Sequence, residues 1–178
     1  MRAIAFHGFG QPAAADDLPL PEPGPGEVLV RVRSASLNGF DLGVLGGHLK
    51  DAMEHRFPVV LGKDFAGEVA AVGADTTGLA VGDRVFGVVM HPALGAGSLA
   101  EHVVVNAAYG VARLPEGLSA DDAAALALAG SAALGAVDAV APQAWETVLV
   151  VGATGGVGGY AVQLAAARGS TVVATRSE

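Results

Sequence analysis

TVLVVGATGGVGGYAVQLAAARGSTVVATRSE, residues 147–178, is the most informative stretch of this chain. An uncharged, β-branched run (147–151) leads into the glycine cluster GATGGVG, and an apolar pattern at helical spacing follows. A second β-branched run begins at Thr171. This order predicts a strand, a glycine turn, a helix that begins near Gly156 and a second strand, which together form a βαβ unit.

The glycine turn is the first candidate functional site. Its spacing departs from the strict G-x-G-x-x-G pattern, and a glycine cluster alone is also compatible with a flexible loop. The strand before it and the helix after it favour dinucleotide binding, because backbone N–H groups at the helix start can then approach a pyrophosphate. The cofactor-binding candidates in the turn are Gly152, Thr154, Gly155, Gly156, Val157 and Gly158.

The end of the second strand predicts which dinucleotide is bound. An NAD enzyme typically places a carboxylate there, about 20 residues after the first glycine, to bind the ribose 2′-hydroxyl. This chain instead has Thr175, Arg176 and Ser177, followed by Glu178. Because a guanidinium binds phosphate oxygens in a bidentate manner, Arg176 suits a 2′-phosphate and predicts NADPH.

Composition excludes several classes of protein. The 178 residues contain no cysteine, which rules out disulfides and cysteine-ligated metal sites. The net charge is −8 with ten Lys and Arg, so we expect no nucleic-acid partner. The apolar run 123–137 is short, and 147–167 is broken by glycines, so we expect no membrane span. The N-terminus lacks the apolar region of a signal peptide, which predicts a cytoplasmic location.

The first 118 residues are rich in strand patterns. Residues 27–36 alternate with period 2, with Val28, Val30 and Val32 on a core face and the intervening residues on a wet face. Further short β-rich runs with turn signals predict an antiparallel barrel or sandwich. At Ser119 the composition changes to Ala-rich helical sequence interrupted at Gly130 and Gly135. We therefore predict one domain over 1–118 and a second over 119–178.

These segments, in this order, resemble the medium-chain dehydrogenase/reductase superfamily, and specifically its zinc-free, quinone-oxidoreductase-like branch. The similarity covers almost the whole chain. The motifs that carry it are GPGEVLVRV at 24–32, LNGFD at 37–41, VLGKDFAGEVAAVG at 60–73, VGDRVFG at 81–87, GSLAEHV at 97–103, LPEGLSADDAAAL at 114–126 and ETVLVVGATGGVGGYAVQLA at 146–165.

The resemblance implies a fold of mixed α+β and α/β class. A GroES-like β-barrel domain would be followed by the first part of a Rossmann domain, a doubly wound parallel sheet. In the zinc-dependent branch a Cys ligand stands at the position of Asn38, and a His-Glu pair stands at the positions of Lys63 and Asp64. Both sets of ligands are missing here, and the five histidines show no zinc-site spacing, so we assign no metal.

The resemblance also supplies the catalytic candidates, Asn38, Asp41 and Lys63. It places an Asn-x-x-Asp motif beside the nicotinamide, where Asn38 would polarise a carbonyl through its amide N–H. Alternatively, Asn38 only caps the following turn. Asp41 is expected to anchor its own loop, and Lys63 is either a cation facing the substrate or a solvated turn residue. Many relatives have a Tyr after the Asp, and here His48 or a water would have to donate the proton.

The expected function is an NADPH-dependent reductase that transfers hydride to a quinone or to the C=C bond of an enone. The alternatives are an enoyl-reductase module of a larger synthase and a non-catalytic dinucleotide-binding protein. A doubly wound domain needs six strands, and this chain supplies two of them, so we expect a fragment of a longer reductase or a chain that needs a partner. Alone, it should bind the adenine-ribose half weakly and should not turn over. We expect the full-length protein to be a homodimer.

Overall fold

The computed structural model describes residues 1–175, which form two compact units. The first unit comprises Met1–Ala127, and the second begins at Leu128. The β-rich part thus precedes the glycine turn, as the sequence predicts. The domain boundary predicted after residue 118 stays a prediction.

The first unit contains two antiparallel sheets, one short helix and the first residues of a longer helix that continues into the second unit. The elements are β1 (Arg2–Phe6), β2 (Ala14–Asp17), β3 (Glu27–Ser34), α1 (Gly39–Leu45), β4 (Val59–Val60), β5 (Asp64–Val72), β6 (Arg84–Val88), β7 (His102–Asn106) and β8 (Val111–Arg113). Five strands form the larger sheet in the order β7-β3-β5-β6-β8, and three form the smaller sheet in the order β2-β1-β4. The sequence did not predict β2 and β8, which are four and three residues long.

β3 lies in the middle of the larger sheet because its alternating valines fill the core. Val30 is fully buried and pairs with Val69 of β5 and Val103 of β7. The predicted wet face is solvated at Arg31, whereas Leu29, on the same face, is only 5% exposed. The expectation of one fully solvated face was therefore wrong at the start of this strand.

A second apolar cluster holds α1 against the smaller sheet. Its buried members come from β1, α1, β4 and the loops beside them. Burying apolar side chains contributes about 25 cal/mol for each Å² removed from water, so this cluster holds α1 against the smaller sheet. The cluster consists of Phe6, Val44, Val59, Leu61 and Leu94.

The Ala-rich segment forms one continuous helix, α2 (Ala120–Val140). Ser119 initiates it, since the Ser119 hydroxyl accepts the backbone N–H of Asp122 at 3.1 Å. The predicted interruptions at Gly130 and Gly135 are wrong. A single glycine costs a helix about 1 kcal/mol relative to alanine, and the surrounding alanines offset that cost.

Among the described residues, α2 is also the one helix long and apolar enough to cross a membrane by length and composition. Helices that pack inside water-soluble proteins meet the same criteria. Ala123 and Ala124 are buried with Ala66 of β5 in one cluster, as in a packed core helix. The predicted absence of a membrane partner stays a prediction.

The second unit continues α2 into a βαβ arrangement. It contains β9 (Thr147–Val150), α3 (Gly156–Ala167) and β10 (Thr171–Ala174). β9 and β10 pair in parallel, with Thr147 opposite Thr171. The predicted strand, turn, helix and strand are thus confirmed, and the helix begins at Gly156 as expected. The apolar run 147–151 is not fully buried, however, because Leu149 is 62% exposed.

Replacing Gly135 with Ala should stabilise the protein. Gly135 is exposed within α2, and a Cβ added there would meet no atom within 4 Å. We therefore expect the free energy of unfolding to rise by about 0.5–1 kcal/mol, measured by urea titration followed by circular dichroism. The matched control, Ala136→Gly at the neighbouring exposed position, should lower it by a similar amount. A loss of stability in Gly135→Ala would show that α2 is not a regular helix there.

Candidate functional site

Asp64 forms the centre of a polar cluster in the first unit. It is the first residue of β5 and is completely buried. Its Oδ2 atom accepts hydrogen bonds from the hydroxyl of Ser36 at 2.6 Å and from Nδ2 of Asn38 at 2.7 Å. A buried carboxylate is costly unless such donors surround it. These two bonds therefore join β5 to the segment that connects β3 to α1.

Asp41 links helix α1 to the loop before β5. It is the third residue of α1 and is only 3% exposed. Its Oδ2 atom accepts the backbone N–H of Asn38 at 2.8 Å, and its Oδ1 atom accepts the backbone N–H of Gly62 at 3.1 Å. Burial raises the pKa of Asp41, while these two N–H donors lower it. The contacts are those of a loop anchor, and a catalytic role for Asp41 stays a prediction.

Gly62 brings the loop close enough for this contact. It adopts a φ of +99°, which side chains with a Cβ rarely tolerate, and a Cβ there would lie 2.5 Å from the hydroxyl oxygen of Ser98. The backbone N–H of Ser98 donates to the carbonyl of Gly62 at 3.0 Å. Glycine at this position therefore allows two loops to pack directly beside Lys63.

Lys63 precedes Asp64 in the sequence and interacts electrostatically with both buried carboxylates. Its side chain is half-buried, and Nζ lies 5.2 Å from the centroid of the Phe40 ring. Burial lowers the pKa of Lys63, whereas the charges of Asp41 and Asp64 raise it. This environment differs from that of a fully solvated turn residue, and it places one cation beside two anions.

Asn38 keeps hydrogen-bonding capacity for a ligand. It is the residue before the first turn of α1, as the capping alternative predicts, but its amide reaches Asp64. An Asn side chain has two N–H donors and one acceptor oxygen. One N–H of Asn38 donates to Asp64, and the Asn38 side chain also accepts the backbone N–H of Asp41 in a capping box. The remaining N–H can polarise a carbonyl.

Sequence reasoning did not select Ser36 or Asp64 as site residues. A signal was present for Ser36, because residues two apart at the end of an extended segment point to the same side, and Ser36 and Asn38 have that spacing. The partner of both, Asp64, is 26 residues from Asn38, and no local pattern connects them. His48, the candidate proton donor, is exposed.

The glycine turn of the second unit has the sterics of a phosphate-binding turn. Gly152 adopts a φ of +76°, and a Cβ on Gly158 would lie 2.2 Å from the carbonyl oxygen of Gly152. Gly155 is the N-cap of α3, so the N–H groups of Gly156 and Val157 have no intrahelical acceptor. These donors and the positive end of the helix suit a pyrophosphate.

The remaining predicted cofactor residues lie around this turn. Thr154 is exposed, and the Thr175 hydroxyl accepts the backbone N–H of Gly152 at 3.0 Å. The backbone N–H of Thr175 also donates to Val150 at 3.1 Å, so the end of β10 borders the turn. Arg176 and Ser177 lie outside the described residues. The roles of all these residues in cofactor binding stay predictions.

Metal ligands do not cluster in the part of the chain that the structure describes. Within residues 1–175, no group of three His, Asp or Glu side chains is placed to hold a metal ion. At the positions that hold zinc ligands in the zinc-dependent branch, the structure places the Asn38 amide and the Lys63 ammonium near two carboxylates. An ammonium group cannot ligate a metal while it is protonated.

Comparison with known proteins agrees with this architecture. Residues 24–116 match the alcohol dehydrogenase GroES-like domain family. A solved structure of the quinone oxidoreductase from Coxiella burnetii superposes with a TM-score of 0.89 at 34% identity, covering 100% of this chain and 57% of that one. The fold is therefore that of a GroES-like domain followed by the beginning of a Rossmann domain.

Two curated relatives contain a segment similar to this chain within a longer protein. The chloroplastic quinone-oxidoreductase QR1 of Triphysaria versicolor is 37% identical over 98% of this chain and 55% of its own length. A mycocerosic acid synthase-like polyketide synthase of Mycobacterium tuberculosis is 42% identical over 92% of this chain and 7% of its own length. The chain spans about half the length of QR1.

The chain belongs to the medium-chain dehydrogenase/reductase superfamily, in its quinone-oxidoreductase-like branch. The fold class predicted from the sequence is thereby confirmed.

Replacing Lys63 with Met should raise the pKa of Asp41 further, because the charge of Lys63 lowers it. A carboxyl group whose folded-state pKa is raised contributes stability that is present below the unfolded pKa and is lost as pH rises through the folded pKa. As pH rises, the free energy of unfolding of Lys63→Met should therefore keep falling to a higher pH than that of the wild type. Carbon-13 NMR titration of the Asp41 carboxyl and urea unfolding across the acid range measure both effects.

The control for this variant is Lys50→Met, which removes an exposed lysine from the loop after α1. It should leave the pKa of Asp41 unchanged. An equal pKa shift in both variants would contradict a direct interaction between Lys63 and Asp41.

Proposed function

We propose that this chain contributes to an NADPH-dependent oxidoreductase that transfers hydride to a quinone or to the C=C bond of an enone, without zinc. The observation that carries the proposal is the glycine turn, where Gly158 has no room for a Cβ against the carbonyl of Gly152. Such tight packing of the helix start against the end of the strand is typical of a dinucleotide-binding turn, in which N–H groups at the start of the helix face the pyrophosphate. The name of QR1 supports a quinone as the acceptor.

The proposed chemistry divides between cofactor and protein. When bound, the nicotinamide supplies the hydride, and the protein supplies orientation and electrostatics. The free N–H of Asn38 would donate a hydrogen bond to the carbonyl oxygen of the acceptor, where negative charge develops. Lys63 would add a positive charge beside it. Asp41 would keep both residues in place through its contacts with the backbone of α1 and of the loop before β5.

The choice of NADPH rests on the end of β10. No carboxylate is present at the described end of this strand, where Thr175 bonds the glycine turn. Arg176 follows in the sequence, and its guanidinium suits a 2′-phosphate. A ribose 2′-hydroxyl would find no carboxylate acceptor at Thr175, which disfavours NADH.

A second candidate function is the enoyl-reductase step of a larger synthase. The similarity to a polyketide synthase over 92% of this chain favours it. This alternative uses the same hydride transfer, but its acceptor would be an enoyl thioester instead of a quinone. A non-catalytic dinucleotide-binding protein would bind NADPH and reduce neither. The predicted homodimer of the whole protein is part of the proposal.

The experiment that tests the proposed activity is NADPH oxidation by the whole protein with a panel of quinones, enones and enoyl thioesters. We expect quinone- or enone-dependent oxidation and a preference for NADPH over NADH. Arg176→Ala should weaken NADPH binding about tenfold or more, since a charge-assisted phosphate contact is lost, and should leave NADH binding nearly unchanged. Fluorescence titration with each nucleotide measures this difference.

Three outcomes would count against parts of the proposal. Binding without oxidation of any acceptor would favour the non-catalytic alternative, and oxidation with enoyl thioesters alone would favour the synthase module. Equal weakening of NADH and NADPH binding by Arg176→Ala would contradict its role in cofactor choice. Thr76→Ala, in the loop between β5 and β6 of the other unit, is a control that should leave both affinities unchanged.

We also expect the protein to contain no stoichiometric transition metal, because an amide and an ammonium group occupy the positions of the zinc ligands. Elemental analysis by mass spectrometry should therefore find well under one zinc per chain, and chelators should leave NADPH binding intact. One zinc per chain that resists dialysis would contradict the zinc-free assignment.

A further inference from the structure

We propose that Asp64 is a positioning residue that sets the orientation of the Asn38 amide toward the acceptor. The inference rests on the proposed function, in which the free N–H of Asn38 polarises the acceptor carbonyl. Asp64 itself need not touch the substrate, because it is completely buried. It acts through the hydrogen bond that its Oδ2 atom accepts from Nδ2 of Asn38 at 2.7 Å.

Asp64 is itself held in place by the sheet. It begins β5, which lies between β3 and β6 in the larger sheet, and it pairs with Val88 of β6. A second donor, the hydroxyl of Ser36, reaches the same oxygen at 2.6 Å. Because both donors come from the segment between β3 and α1, that segment is held at two points two residues apart. The Asn38 amide is therefore bonded to a carboxylate whose position is fixed by the larger sheet.

The chemistry of a carboxylate also determines which side of the Asn38 amide faces Asp64. An ionised carboxylate accepts hydrogen bonds and donates none, so only the nitrogen side of the Asn38 amide can face Asp64. The amide plane is then fixed, and the second N–H of Asn38 points in one direction. If residue 64 were an asparagine, it could also donate, and the Asn38 amide could rotate by half a turn and present its oxygen instead. The charge of Asp64 thus excludes the wrong orientation.

Two charged side chains, those of Lys63 and Asp41, interact electrostatically with Asp64. Lys63 lies beside it and couples electrostatically to both Asp64 and Asp41. Asp41 is the other anion in the cluster and bonds backbone N–H groups, not the side chains that bond Asp64. The two carboxylates therefore have separate tasks, since Asp41 holds the backbone of α1 and Asp64 holds the side chain of Asn38.

The test is a double-mutant cycle in the whole protein, with quinone reduction as the readout. Asp64→Asn should lower kcat about tenfold and leave the KM for NADPH within about twofold, because the acceptor loses its oriented donor while the dinucleotide turn is unaltered. In the Asn38→Ala background the same substitution should change kcat by less than about twofold, because residues that act through one contact are not additive. Ser34→Ala, a serine of β3 whose hydroxyl bonds Asp121, is the matched control and should leave kcat unchanged.

A second measurement needs no variant and no activity. In the nitrogen-15 NMR spectrum of the wild-type chain, one side-chain N–H of Asn38 should exchange with solvent at least tenfold more slowly than those of Asn106. The amide oxygen of Asn106 accepts the backbone N–H of Ala108, and no described bond is donated by its nitrogen. A separate spectrum of Asp64→Asn checks that this variant folds, and the wild-type measurement stands if it does not.

The outcomes separate this inference from the proposed function. If Asn38→Ala leaves quinone reduction unaffected, the proposed role of Asn38 fails, whatever Asp64 does. A second outcome is that Asn38→Ala lowers kcat while Asp64→Asn lowers kcat by the same factor in the wild-type and Asn38→Ala backgrounds. In that case the proposed function stands and the positioning role is overturned. Equally fast exchange of the Asn38 and Asn106 side-chain protons would overturn the positioning role as well.

Discussion

The β-rich unit depends on the burial of two carboxylates, because each of them has to find donors inside the protein. Asp41 and Asp64 are almost inaccessible, and an unpaired carboxylate in such surroundings would cost several kcal/mol. The fold supplies donors to both of them, among them two backbone N–H groups for Asp41 and two side chains for Asp64. Satisfying these oxygens determines where α1 begins, how close the loop at Gly62 approaches it, and which way Asn38 faces.

The same requirement connects the apolar core with the polar site. Val44 of α1 packs with Phe6 and Leu61 in the second cluster, and Asp41 of the same helix bonds Gly62, the residue after Leu61. Apolar contact therefore brings the helix to the loop, and hydrogen bonds then fix its rotation. Packing alone is tolerant of small shifts, whereas a carboxylate with two N–H donors is not. The precision of the site thus comes from the polar contacts, and most of the stability comes from the core.

Local sequence patterns were sufficient for most of the fold. The period-2 valines of β3 and the glycine turn between β9 and α3 each depend on neighbours within a few residues, so their structures follow from the sequence. The burial of Leu29 and the exposure of Leu149 could not be predicted, because each depends on what packs against the strand. The bond between Asn38 and Asp64 joins residues 26 positions apart, so local spacing could not reveal it. The continuity of α2 through Gly135 depends on a balance of about 1 kcal/mol, which a pattern does not resolve.

The absence of a side chain at Gly158 has a consequence for how this protein can evolve. Any other residue would place its Cβ 2.2 Å from the carbonyl oxygen of Gly152, and the turn would have to open. Substitution there destroys the shape of the turn and cannot tune its selectivity. The end of β10 is under no such restriction, because Thr175 is exposed and contacts the turn through a single hydroxyl. For a turn that binds a dinucleotide as proposed, adaptation to another nucleotide would therefore proceed through the strand end, while the glycines of the turn stay the same.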